Sequence, residues 1–258
     1  VDQLFGGSGV DWLDAGCPNE VAVSGWNAYR WATNGTSVSD IAQGNIGTCS
    51  FLAAMASATE QGIDLSQRIT YLGNYVYRVS LFNLTGNLVT RDVVFTGAMV
   101  RDSSGRVVDP LTANEGKFWT VLMQRAYLKF NGYDPMNGAY ASSAFPGDYI
   151  QRALSIVTGR AIWQSYLPMT KPQDLAQMLA RGDAITAGSN STASGLIVGN
   201  HAYMVDAIFQ ENSVWKVQLY NPWGIDGLIA QGRNDGMLTI PWTVFRASFS
   251  DIASATNL

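Results

Sequence analysis

The hydrophobic pattern of this chain changes period partway along, and that change limits the folds open to it. From Cys49 to about Gln61 the run CSFLAAMASATEQ places Phe51, Leu52, Met55 and Ala56 at helical spacing, among alanines that suit a buried, closely packed helix. Gly62 ends it. A second helix is predicted over Gly116 to Phe130, where Phe118, Leu122, Ala126 and Phe130 form one apolar stripe stopped by Gly132. Tyr149 to Thr158 and Pro172 to Arg181 read as shorter helices. Between Tyr75 and Val108, the runs YVYRVSLF and VTRDVVFT alternate around TGN and SSGR turns, as strands of a small antiparallel unit do. Beyond Thr158-Gly159, a candidate hinge, the runs AITAGSN, HAYMVDAIFQ, VWKVQLYNPW and GMLTIPWTVF are strand-like. The pattern predicts an α+β protein with a mostly helical half at residues 23–158 and a mostly β half at 159–258, behind a Gly-rich segment at 1–22. Ligands commonly sit where such halves meet.

Charge narrows the partners. Charged residues make up 14% of the 258 positions, against roughly 25% in an ordinary globular protein, and the formal net charge is -4 with no Lys/Arg-rich block. Nucleic acid and anionic membrane are therefore poor candidates as the main partner. No run approaches the roughly 20 apolar residues that span a bilayer, so a soluble chain is expected. The sequence opens on Val1 without a signal-peptide pattern, and further domains upstream in a longer protein are expected. GGSGVDWLD, from Gly6 to Asp14, fits a single copy of the calcium-binding β-roll nonapeptide. It reads either as the end of such an array, which predicts a secreted protein, or as a Gly-rich linker, which leaves a cytoplasmic one.

Two cysteines cannot build a disulfide framework, and a free Cys with a distant His is the arithmetic of a catalytic thiol. Cys49 opens the Ala-rich helix, where unpaired backbone N–H groups and the helix dipole favour a thiolate. An isolated Cys is more often a buried structural residue; its company decides here. His201 is the one histidine in the sequence and begins a strand-like run after a small-residue loop. Asn221 ends the next such run, and Pro222 stops further pairing there. Adjacent strands bring the two together, so that the amide oxygen fixes the imidazole tautomer and leaves its other nitrogen for the thiol. Gln43, in Q-x5-C, is placed to share an oxyanion with the Cys49 backbone N–H, and Trp223 to cover the Asn–His hydrogen bond.

These residues stand in motifs that resemble those of the calpain family of cysteine proteases. SDIAQGNIGTCSFLAAMAS is similar to the family's nucleophile motif, and GNHAYMV followed by LYNPWG to its His and Asn motifs. GKFWTVLMQRAYLKFNGY resembles the helix behind the active site, and DGMLTIPWTVF the closing strand and turn, so the likeness runs from about Ser37 to Phe249. The resemblance implies a papain-like fold in two subdomains, with a cleft that binds an extended polypeptide and Cys49, His201, Asn221 and Gln43 as its catalytic set. It implies no cofactor for the chemistry. Calcium is carried over as a regulator, with Asp40 and Asp134 as the matching ligand positions, although Met237 stands where a second-site Glu is expected and the stretch after NPWG is shortened. Ser50 replaces a Trp of the family, and Asn200 a Gly. The alternatives are another Cys-His acyl transfer, such as transamidation, and a peptide-binding module that no longer catalyses.

Overall fold

The computed structural model describes residues 35–111, 117–133, 145–193 and 195–256. The nonapeptide at Gly6–Asp14, Cys17 and Asp134 lie outside the described residues.

Helix α1 (Cys49–Glu60) is buried from Ser50 through Ala58, which is why its sequence is alanine-rich rather than amphipathic. Around it lie α2 (Trp119–Phe130) and α3 (Ile150–Thr158), the latter ended by Gly159 in the left-handed conformation at φ 69°. Phe51 of α1 stacks on Tyr127 of α2, with centroids 4.0 Å apart and planes 8° apart. A small antiparallel sheet of β1 (Ile69–Gly73), β2 (Val76–Phe82) and β3 (Leu88–Val94) covers this helical half.

The second half is a six-stranded sheet in the order β4 (Ile162–Tyr166), β9 (Phe249–Ala255), β5 (Ala184–Ser189), β6 (Ala202–Glu211), β7 (Val214–Tyr220) and β8 (Met237–Pro241). All its pairs are antiparallel. Alternation along each strand splits the side chains between two cores. Ala184, Ala202, Ala253 and Ala255 face the helical half, whereas Ile185, Tyr203, Val205 and Ile252 face the opposite layer, with Leu175 of α4 (Pro172–Ala180) and Phe245 of α5 (Trp242–Ser248). Small residues on the inner face let α1 lie directly on β5 and β6, so the N-terminus of α1 meets the start of β6.

The mixed α+β reading holds, with differences in detail. The run Trp242 to Phe245 continues into a helix instead of a strand, because a short apolar stretch fits either element until packing decides. β4 and β9 come from sequences too polar and too rich in small residues to show alternation, and β9 inserts between β4 and β5. Among the described residues no helix is long and apolar enough to cross a membrane.

Candidate active site

His201 directly precedes β6 and Asn221 directly follows β7, its neighbour in the sheet. The His201 backbone N–H donates to Ser189 Oγ at 2.9 Å, and the Ser189 N–H donates to the His201 carbonyl at 2.8 Å, which fixes the residue at the sheet end. Asn200 before it takes φ 52°, a left-handed conformation that asparagine tolerates, so the exchange of a Gly for Asn200 leaves the turn intact. The ring Nε2 lies 2.9 Å from Asn221 Oδ1, and the Trp223 backbone N–H donates to that same oxygen at 3.0 Å. A backbone N–H can only donate, so the Asn221 amide cannot be reversed, and Nε2 of a neutral imidazole must carry the proton. Nδ1 is left unprotonated, with its lone pair free to accept. Trp223 also covers the imidazole, ring centroids 4.9 Å apart.

Asn221 is itself held from below. Its N–H donates to Gly236 O at 2.8 Å, and the Gly236 N–H donates to the buried Asp226 carboxylate at 3.0 Å. Asp226 accepts from the Gln231 N–H at 2.5 Å as well, so one carboxylate closes the shortened loop after NPWG. Asp226 leaves little trace in the sequence beyond its position five residues past Asn221, in a loop of turn formers.

The loop before Cys49 needs glycine, since a Cβ on Gly44 would fall 2.2 Å from the Asp109 carbonyl oxygen. Thr48 Oγ1 donates to Gln124 Oε1 at 2.7 Å, and Gln124 Nε2 donates to Val108 O at 3.2 Å, fixing the residue before Cys49 to α2. Gln124 is a second residue missed from sequence; a glutamine inside a buried apolar helix is the trace it leaves. The same loop is stitched to the β half. Gln43 N–H donates to Pro222 O at 2.8 Å, and Tyr220 Oη donates to Ile41 O at 2.5 Å. Gln43 Nε2 donates one hydrogen to Ile46 O at 2.5 Å, which leaves its second amide hydrogen for another acceptor.

Cys49, His201 and Ala202 line one cavity of about 710 Å³, and Gln43 and Trp223 line a neighbouring one of about 1000 Å³. Among the described residues no hydrogen bond joins the Cys49 sulfur to the imidazole, and each group favours its neutral form. Burial pushes the Cys49 thiol up, against the backbone N–H groups of Ala202, Ser50 and Cys49 itself. Burial pulls His201 down to about 4, with Asn221 opposing it. A helix N-terminus alone favours a thiolate with a depressed pKa; desolvation outweighs that effect here.

Asp40 does not fit a calcium ion. Its buried carboxylate pairs with Lys117 Nζ at 3.1 Å, accepts from Trp119 Nε1 at 3.0 Å and caps the Ser37 N–H at 3.0 Å. An ammonium has no lone pair to share with a metal and already supplies the positive charge. Among the described residues no group of three or more His, Cys, Asp or Glu side chains could hold an ion.

A helical layer that presents a thiol at a helix N-terminus to a His–Asn pair on an antiparallel sheet defines a papain-like cysteine protease fold. The family model of calpain family cysteine proteases matches residues 10–230, and the chain belongs to that family. The calpain-1 catalytic subunit of Rattus norvegicus is 27% identical over 221 residues, covering 76% of this chain and 29% of that protein. Calpain-9 of Mus musculus is 28% identical over 211 residues, covering 74% and 29%. The calpain-type cysteine protease DEK1 of Zea mays is 27% identical over 199 residues, covering 72% and 9%. The chain thus spans under a third of the length of these relatives.

Proposed function

We propose that this chain is a cysteine endopeptidase in which Cys49 is the nucleophile, His201 the base and acid, Asn221 the residue that orients His201, and Gln43 an oxyanion donor. The observation that carries the reading is the Trp223–Asn221–His201 lock, which leaves Nδ1 as an acceptor in the cleft that Cys49 lines. Substrate entry brings sulfur and Nδ1 into contact, as catalytic hydrogen bonds often tighten only in the complex. The thiol proton moves to Nδ1 and the sulfur adds to the peptide carbonyl. The Cys49 N–H and the second Gln43 amide hydrogen stabilise the oxyanion, each such donor being worth about 3–4 kcal/mol in the transition state. His201 then protonates the leaving amine, a thioester to Cys49 remains, and water deprotonated by His201 hydrolyses it. Polypeptide is the substrate class. No step uses a metal.

The test is hydrolysis of a protein substrate by single variants. Cys49→Ala and His201→Ala are expected to abolish cleavage, while Cys17→Ser leaves it intact. Equal activity of Cys49→Ala and wild type contradicts the proposal.

A further inference from the structure

The sheet register places three residues in a row across adjacent strands. Ala202 of β6 is paired with Gly188 of β5, and Gly188 with Asp251 of β9. Directly paired residues project on the same face, so all three look toward the helical half, as Ala253 and Ala255 further along β9 do. At roughly 4.8 Å per strand, Asp251 lies about 10 Å across the sheet from Ala202, whose N–H approaches the Cys49 sulfur. Between them Gly188 leaves a gap: a Cβ there would meet the Asp251 carboxylate and Ile150 Cδ1 only at 3.9 Å. Ala202, Gly188, Asp251 and Ile150 line the cavity of about 710 Å³ shared with Cys49 and His201.

The charges in this cavity are not balanced. Asp148 is neutralised by Arg152 and accepts from the Tyr127 hydroxyl. Among the described residues Asp251 accepts from its neighbour Ser250 Oγ alone, at 3.0 Å, and no Lys or Arg pairs with it. Two exposed rings, Tyr149 and Tyr166, line the same cavity. A carboxylate at the end of a slot beside aromatic faces suits a long cationic side chain, through a charge-assisted hydrogen bond and cation–π contact.

We propose that Asp251 is a specificity-determining residue, selecting polypeptides with a Lys or Arg within two residues of the scissile bond. The claim takes its scissile bond from the peptidase reading above. Extended substrate advances about 3.4 Å per residue, so a lysine or arginine one or two positions from the carbonyl over Cys49 spans the distance.

Cleavage of a peptide library, read by mass spectrometry, tests it with wild type, Asp251→Asn and Asp251→Lys. Lys and Arg should be enriched near the wild-type cleavage sites. Asp251→Asn should lower kcat/KM on basic peptides roughly tenfold, without changing it on neutral ones, and Asp251→Lys should move the enrichment to Asp and Glu. The same ranking in all three proteins, or an apolar preference in wild type, overturns the proposal. Should Asp251→Lys not fold, the isosteric Asp251→Asn decides alone. Should wild type cleave nothing, the peptidase reading fails by itself, and binding to Cys49→Ala decides the role of Asp251. In that case an Arg peptide should bind about tenfold tighter than its Gln counterpart, and equal affinity rejects the proposal.

Discussion

Nε2 of His201 and the backbone N–H of Trp223 converge on one oxygen, Asn221 Oδ1, at 2.9 and 3.0 Å. The pair of donors makes the orientation of the amide, and so the tautomer of the imidazole, a property of the backbone. Asn221→Asp keeps an acceptor for both donors and should retain most activity. Asn221→Ala leaves both without a partner in a buried site, a loss of about 1–3 kcal/mol, or roughly 5- to 150-fold in kcat. Steady-state kinetics of the two variants checks this.

The pH profile follows from the buried imidazole. With His201 held down at about 4 and the Cys49 thiol pushed above 9.0, the proposed pair should work between those limits. The acid limb of kcat/KM should fall well below 6.5, the ordinary histidine value, and the alkaline limb above 9.0. Stability has the matching sign. Below pH 6.5 the unfolded chain takes up a proton that the folded chain refuses until about 4, so this contribution is present above 6.5 and is lost as pH falls through 4. Thermal midpoints across pH 4 to 7 measure it, and His201→Gln should flatten the dependence.

Calcium should be dispensable, because Lys117 already compensates Asp40. Hydrolysis and thermal midpoint are expected to match in chelator and in calcium. Lys117→Met strips the cation from a fully buried carboxylate that keeps its N–H donors, and should destabilise the fold by about 1–3 kcal/mol. Thermal or denaturant unfolding reads this directly.

Asp206 is the extra residue at the irregularity of β6 between Val205 and Ala207. Burial and the nearby Glu60 raise its carboxyl to about 6. A raised carboxyl favours the folded state while protonated and opposes it once ionised, so stability from this site is lost as pH rises from 3.8 through 6. Asp206→Asn should therefore raise the thermal midpoint at pH 8, with the gain shrinking toward pH 4.

Much of this site was legible because its chemistry is local or motif-borne. The helix opened by Cys49 shows in the spacing of Phe51, Leu52 and Met55, and the His–Asn pairing in two neighbouring strand-like runs. The illegible parts are long-range polar pairings. Lys117 meets Asp40 across 77 positions, and Thr48 meets Gln124 across 76. Neither pairing has a period or composition to announce it. β9 was hidden for a related reason: as a strand between two others it needs small residues to admit α3, and these erase the alternation that marks a strand.

In the proposed reaction the Cys49 sulfur carries the acyl group. Intact-protein mass spectrometry after rapid acid quench of a single turnover with an ester or peptide substrate tests it most directly. A mass gain equal to the acyl fragment, mapped to Cys49 and absent from Cys49→Ala, is predicted. Turnover that proceeds with no adduct and survives in Cys49→Ala would contradict it.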